Sequence, residues 1–397
     1  MVRRVSTSDL SAPTLGQIVA GLEQMYNPAW ARDWDAVGLV CGDPQAPVRR
    51  VLFAVDPTQA VVDEALAWRA DLIVSHHPLM LRAVHSVAAT TAKGRVIHAL
   101  VRGGCALYTA HTNADAAAPG VSDALARVLG LTDLVPLDAD RADPLDKVVS
   151  FVPEDAVDAV VDAMSTAGAG DVGEYARCAW TVSGSGTFVP GPQAVPTVGE
   201  VGLRQDVAER RVEMVAPRAV RRQVLSALRG AHPYEEPVGD VYELASWSGP
   251  RGIGRVGRLT TATSLRDFAM LVAEALPSSA QGVRVAGDPG AEIRTAAVCG
   301  GAGDTLLDAA RRAKVDAYVT ADLRHHPTSE ARESVADGPP FLIDVPHWAS
   351  EWPWLAGAAN RLQGQLDAAG MPIEAHVSSK STDPWTFRIP SPSGVVR

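Results

Sequence analysis

The sequence predicts an α/β protein: two related α/β halves forming one core, interrupted by an inserted α+β domain with a ferredoxin-like order of elements. Three observations predict it. In the first and last thirds, short Val/Ile/Leu-rich runs alternate with amphipathic helical stretches, the pattern of parallel βαβ units. Strand, helix, strand and a His-His-Pro loop occur twice, at His76-His77-Pro78 and His325-His326-Pro327, as in a weak internal duplication. The middle of the chain changes texture, and turn formers crowd both its flanks, at 138–144 and 246–254. The expected boundaries are 1–143 for the first half, 144–245 for the insert and 246–397 for the second half.

In the first half, residues 15–25 place Leu15, Ile18, Val19 and Leu22 on one helical face. Residues 48–55 read as a strand and 58–69 as a helix that Pro57 can open. A strand at 72–74, a helix at 91–102 and a strand at 106–109 follow. The insert carries a strand at 147–152, a helix at 155–167, a Gly-rich strand at 179–188, a strand at 211–215 and a helix at 219–228. The second half resumes with a strand at 294–298, a helix at 305–314 and a strand at 316–320. In mostly parallel sheets, the loops at the carboxyl ends of the strands carry the site.

Composition narrows the class. An apolar fraction of 47% and a mean hydropathy of +0.03 describe an ordinary globular protein. A net charge of -10 and a pI near 5.5 weigh against a nucleic-acid footprint, and Arg210, Arg211, Arg218, Arg221 and Arg222 read as the solvated face of a helix. Cys41, Cys105, Cys178 and Cys299 are scattered, with no CxxC, and fit buried thiols in a reducing compartment. Met1-Val2-Arg3-Arg4 leads into a polar stretch rather than an apolar run, so no secretory leader is expected. No segment reaches the ~18 consecutive apolar residues of a membrane helix. A cytoplasmic protein is expected.

The chemistry concentrates in three places. His76 and His77 close an apolar strand at Pro78, where adjacent side chains can point to opposite sides and serve two centres. His111 and Asp115 share a polar loop after another strand. Asp115 alone reads equally well as a cap or turn carboxylate. His347 and Glu351 are four apart, so a helix would put them on one face, although Pro353 threatens a straight helix there. Together these form a nitrogen-and-oxygen donor set without thiolate, suited to Zn, Mn, Fe or Ni. Glu351 is the best-placed carboxylate to bridge two ions. Ions of this kind lower the pKa of bound water towards ~7 and make it a nucleophile at neutral pH.

Other motifs have plainer readings. His232-Pro233-Tyr234-Glu235-Glu236 reads as a turn closing the insert rather than a second metal site. Gly300-Gly301-Ala302-Gly303-Asp304 lacks the Lys and Ser/Thr of a P-loop and reads at least equally as a tight strand-to-helix turn. Trp348, Trp352 and Trp354 could wall a base-binding pocket, but packing against a neighbouring subunit is the preferred expectation.

His76-His77-Pro78-Leu79, the 111–115 loop and His347-x-x-x-Glu351 resemble the dinuclear-metal-centre hexameric proteins, the Ngg-interacting-factor-like family often labelled GTP cyclohydrolase I type 2 homologues. Further matches are Trp34-Asp35-Ala36-Val37-Gly38-Leu39, Val55-Asp56-Pro57-Thr58, the 300–304 loop and His232-Pro233-Tyr234-Glu235-Glu236-Pro237, which matches the end of the insert of longer members. The resemblance spans nearly the whole chain. Ala114, Ala321 and Pro346 depart from the family pattern, but none removes a ligand.

The resemblance implies two divalent metal ions per chain, zinc first, with Mn, Fe or Ni as alternatives. His77 and Asp115 would hold one ion, His76 and His347 the other, and Glu351 would bridge them. His111 and His326 would lie behind the ligands and handle protons. It also implies a ring-shaped homo-hexamer and a PII-like or CutA-like insert. The expected function is metal-dependent hydrolysis of a small phosphorylated or nucleotide-like substrate. The alternative is a non-catalytic hexameric metal-binding scaffold or sensor whose insert binds a partner or effector.

Overall fold

A computed structural model describes residues 12–389 except Ala142 and Trp247. The Met1–Arg4 start lies outside the described residues. The chain forms two compact units, one contributed from both sides of the insert, up to Asp140 and from Pro250 onward, and the other Arg141–Gly249. The fold is mixed α/β, with three sheets among the described residues.

The first unit holds two of these sheets. In the five-stranded sheet the order is Gly38–Cys41, Ala106–Thr109, Leu72–Ser75, Arg50–Ala54 and Glu374–Val377. The last four run parallel, and Gly38–Cys41 pairs antiparallel at the edge. Alternate residues of these strands enter different cores, as the twofold side-chain period requires. Val51, Phe53, Leu72, Val74 and Tyr108 face the central core. Leu52, Ala54, Ile73 and Leu107 face an outer cluster shared with the helices Gln59–Trp68 and Ala92–Gly103. Those helices start where sequence chemistry dictates, with Thr58 and Thr91 as side-chain N-caps.

The six-stranded sheet runs Arg284–Ala286, Phe341–Val345, Ala317–Ala321, Glu292–Ala302, Ser248–Ser264 and Leu131–Arg141. Its three middle strands, from Phe341–Val345 to Glu292–Ala302, are parallel. Ala296, Val298, Val319, Ile343 and Val345 join the same central core as the first sheet. The two halves therefore share one apolar interior, with the helix His347–Ala368 passing through it. They also exchange strands: Glu374–Val377 from the end of the chain completes the first sheet, while Leu131–Arg141 from the first half edges the second. Pairwise sequence grammar could not foresee this exchange.

His347–Ala368 continues through Pro353 as one helix of 22 residues, despite the missing N–H. Its apolar face explains why: Trp348, Ala349, Trp354, Leu355, Ala358 and Leu362 are all buried. Trp348 and Trp354 are buried within their own chain, and Trp352 is half-buried. Trp354 donates to Tyr26 Oη at 3.0 Å and Trp352 to the Ser378 carbonyl at 3.0 Å. The expected helix at 305–314 begins instead as a 3-10 turn, Asp304–Leu306, before the short helix Leu307–Arg312.

The Arg141–Gly249 unit contains, in chain order, Leu145–Pro153, helix Val157–Thr166, Trp180–Phe188, Gln205–Pro217, helix Arg221–Ala231 and Asp240–Glu243. Its antiparallel sheet has the order Trp180–Phe188, Gln205–Pro217, Leu145–Pro153, Asp240–Glu243. The expected arginine face does not form on one helix. Arg210 and Arg211 lie on a strand, and pairing with Glu154, Glu213, Asp146 and Glu243 neutralises all of the group but Arg222.

Arg255, fully buried, ties the first unit together. Its guanidinium donates to the carbonyls of Gly252, Gly254 and Ala117 and lies 2.8 Å from the buried Asp123 carboxylate. Removing one partner of a buried pair strands the other charge. Arg255→Ala is expected to cost roughly 3–5 kcal/mol in denaturant unfolding, against less than about 0.5 kcal/mol for the exposed Arg258→Ala.

Candidate metal centre

Both sheets of the first unit direct the carboxyl ends of their parallel strands to one region. From the first sheet come Asp56 after Arg50–Ala54, His76 and His77 after Leu72–Ser75, and His111 after Ala106–Thr109. From the second come Gly301 near the end of Glu292–Ala302, Asp322 after Ala317–Ala321, and His347 after Phe341–Val345. Glu351 follows one helical turn after His347. Its side chain is buried at the centre of the group.

Three imidazoles, His76, His77 and His347, approach Glu351, His111 stands beside the first two, and each of the four has its Nδ1 fixed by an acceptor on the outside. His76 Nδ1 lies 2.9 Å from the Ala110 carbonyl. His77 Nδ1 lies 2.7 Å from Asp56 Oδ1, His347 Nδ1 2.7 Å from Asp322 Oδ2 and His111 Nδ1 2.8 Å from Asp35 Oδ1. Carbonyls and carboxylates only accept, so each Nδ1 carries the proton and the neutral ring turns its Nε2 lone pair inward.

Inside, acceptor meets acceptor. His77 Nε2 and His347 Nε2 are 3.3 Å apart. Glu351 Oε1 lies 2.9 Å from His347 Nε2 and 3.4 Å from His76 Nε2, and its Oε2 lies 3.2 Å from His77 Nε2. Asp115 Oδ1 is 3.7 Å from His76 Nε2. Despite these approaches, His76 Nε2 and Glu351 Oε2 are buried without hydrogen-bond geometry to any partner. Buried polar atoms rarely stay unsatisfied. The arrangement needs cations between its acceptors, either protons or metal ions.

Protonation shows the same pressure. Burial pushes the His347 pKa down, but Glu351 and Asp322 outweigh it and raise it to about 10. His76 and His77 are raised against burial by Glu351, helped by Asp115 and Asp56 respectively. Glu351 is held well below the carboxylate range, because three histidines overcome the effect of burial. Asp115 moves the other way, since burial raises its pKa more than His76 and His111 lower it.

The donor set fits metal ions. Ligand atoms of His77, His347 and Glu351 lie within 4.8 Å of one another, as do those of His76, His77 and His111. Glu351 Oε1 is shared by His347 and His76 while Oε2 faces His77, and His77 also approaches His347 as His76 approaches Asp115. His111 stands level with the other imidazoles instead of behind them. His326 is elsewhere: it is exposed in the first turn of the helix His325–Ser334, its ring against His325. The second half therefore contributes Asp322, His347 and Glu351 in place of its His-His-Pro loop. Asp115 sits in the short helix Thr112–Ala116 and faces His76 rather than capping the helix at Val121, whose N-cap is Gly120.

Gly301 explains the glycine loop. Its φ is +71°, and a Cβ there would meet Glu351 Oε1 at 2.4 Å and His347 Nε2 at 3.2 Å. The bare backbone lets the central carboxylate approach, and the loop serves this centre as a tight turn. Asp35, Asp56 and Asp322 are functional groups that the pattern reading named only as parts of motifs. The available signal was a carboxylate at or just past a strand end in each case but Asp35. Cys299 lies outside both donor groups, with its Sγ on the Gly300 carbonyl at 3.4 Å and its thiol pushed by burial up to about 12.

A profile of the Duf34/NIF3 (NGG1p interacting factor 3) family matches residues 13–384. The "GTP cyclohydrolase 1 type 2 homolog" of Mycobacterium tuberculosis is 49% identical over 379 residues, covering 94% of this chain and 97% of the relative. That of Bacillus subtilis is 35% identical over 371 residues, covering 94% and 98%. The crystal structure of a Bacillus cereus protein related to NIF3 superposes with a TM-score of 0.80 at 35% identity, covering 95% of this chain and 99% of that one.

Two outcomes follow from the geometry. Outer partners that orient metal-binding histidines are typically worth 10–100-fold in affinity. Asp56→Asn and Asp322→Asn should each weaken divalent-metal binding by roughly that factor in chelator competition. In the metal-free protein, the raised His347 pKa contributes stability that is complete below its unfolded value of about 6.5. That contribution is lost as pH rises through about 10. Chelator-treated protein should lose denaturant stability across this window, and Glu351→Gln should flatten the slope.

Proposed function

Because the chain belongs to the Duf34/NIF3 family, we propose that its histidine–carboxylate cluster holds two divalent cations and hydrolyses a small phosphorylated or nucleotide-like molecule. The carrying observation is the ring of inward Nε2 atoms around a buried carboxylate that has no other partner for Oε2. In this reading His76 and His347, which both approach Oε1 of Glu351, would hold one ion, and His77, which approaches Oε2, would hold the other with Asp115. Zinc suits the nitrogen-and-oxygen set first, with Mn, Fe or Ni as alternatives. When bound, such ions supply Lewis acidity and a water nucleophile at neutral pH.

The chain's own residues supply orientation and substrate binding. Asp35, Asp56 and Asp322 hold the imidazoles in one tautomer. A cavity of about 350 Å³ opens against His77 and Asp56 and is also lined by Lys93 and Arg95. Neither cation has a carboxylate partner among the described residues, which favours an anionic phosphoryl group beside the centre. His111 is the proton-handling candidate retained from the sequence. His326 has no contact with the cluster among the described residues and is not included.

The relatives' printed name supports a hydrolase of the cyclohydrolase type, and the proposal extends to the substrate class rather than to guanine itself. We further read the Arg141–Gly249 unit as ferredoxin-like, and thus comparable to PII or CutA domains, from its βαββαβ order. The proposal includes a homo-hexamer in the cytoplasm. Among the described residues, no helix is long and apolar enough to cross a membrane. The scaffold or sensor reading draws support from a separate cavity in the Arg141–Gly249 unit.

Elemental analysis should find two ions per chain, falling to one or none in Glu351→Ala. Less than one ion after reconstitution with Zn, Mn or Fe would overturn the hydrolase. With a phosphorylated substrate, Lys93→Ala and Arg95→Ala should raise KM more than they lower kcat. Mass photometry should give six chains per particle.

A further inference from the structure

The Arg141–Gly249 unit holds a cavity of about 650 Å³, entirely within its own residues. That volume suits a small-molecule site. Its floor is the edge strand Trp180–Phe188, where Val182, Gly184, Gly186 and Phe188 share one face. A Cβ at Gly184 would meet nothing within 4 Å, so this glycine leaves empty space. A Cβ at Gly186 would approach Glu209 Oε2 to 2.1 Å, so this one makes room for the carboxylate to lie across the strand.

The walls are aromatic. Phe151, Phe188 and Tyr234 line the cavity, the last two rings 6.2 Å apart and tilted by 60°. Tyr234 Oη donates to Glu209 Oε1 at 2.9 Å, and Oε2 has no partner among the described residues. The turn after His232 closes the rim: Glu235 accepts from the Val195 N–H at 2.9 Å, and Thr197 donates to the Pro233 carbonyl at 2.6 Å. His232 spends both ring nitrogens on this turn, one on the Phe151 carbonyl and one on the Tyr234 N–H, so it is no metal ligand.

Charge selects the occupant. Glu209, Glu235 and Glu236 face the cavity with Arg211 as the one cation among its lining residues, and Arg211 is paired with Glu213. Carboxylates accept and do not donate, so they favour amino groups and disfavour phosphate. Flat aromatic walls and a glycine floor favour a planar ring.

We propose that this cavity binds an amino-substituted nitrogen heterocycle of nucleobase size, its ring over Gly184 and its amino group donating to Glu209. The site is separate from the proposed metal centre, so occupancy is independent of metal loading.

The test uses the full chain and 2-aminopurine riboside, whose fluorescence reports stacking, with purine riboside as the competitor that lacks the amino group. Gly184 does not have a positive φ, and valine suits a strand, so Gly184→Val fills the space without backbone strain. Saturable quenching is expected, weakened at least about tenfold, or 1.4 kcal/mol, in Gly184→Val and in Glu209→Gln. Purine riboside should compete about tenfold less well than unlabelled 2,6-diaminopurine riboside. Unchanged metal content in both variants keeps this outcome apart from that of the hydrolase proposal. No quenching of the wild type up to about millimolar probe, or quenching unaltered in Gly184→Val, overturns the proposal. Should Gly184→Val not fold, unaltered binding in Glu209→Gln overturns it.

Discussion

Lone pairs directed at one another around a buried carboxylate are the constraint on which the rest of the first unit depends. Four imidazoles are oriented from outside by Asp35, Asp56, Asp322 and the Ala110 carbonyl, and the inner nitrogens of His76, His77 and His347 converge on Glu351. Such an interior is costly without cations, since uncompensated buried charge costs several kcal/mol per group. Protons meet the need in the raised histidines of the metal-free chain. A metal ion in this position would satisfy several lone pairs at once.

The sheets exist in the form that holds this geometry. Parallel strands deliver their carboxyl ends to one edge, and two such edges meet at the cluster. Strand exchange between the halves and the shared central core prevent them from separating, so ligands from opposite ends of the chain keep their spacing. The central helix brings Glu351 in from its first turn and buries Trp354 against His76, at 5.4 Å between rings. Its apolar face is extensive enough to carry Pro353 without a break.

The insert obeys a different economy. It has its own core, built on Val148, Val160, Met214, Val224 and Leu228 between sheet and helices. On the other face of the edge strand Gly184 leaves a cavity where valine or isoleucine would otherwise pack, and Gly186 makes room for Glu209. A strand that gives up side chains on one face loses packing, and this unit recovers it through the aromatic residues and turn that wall the space.

Much of this was legible in the chain itself. Helical periodicity placed Leu15–Met25, and the bounds of Ala106–Thr109 followed from its apolar run. The identities of His76, His77, Asp115, His347 and Glu351 as one donor set came from motifs at strand ends. What sequence could not decide was which donors face each other. The family resemblance implied that His77 shares an ion with Asp115 and His76 with His347, and the folded chain adds a 3.3 Å approach of His77 Nε2 to His347 Nε2. The resemblance also drew in His326, which local grammar makes equivalent to His77 but which lies beyond the strand end on an exposed helix. Local patterns record the direction of each chain segment, because side-chain periodicity is a property of a few consecutive residues. Distances between Nε2 atoms 270 residues apart, and the space left over a glycine, are set only when separate elements pack together.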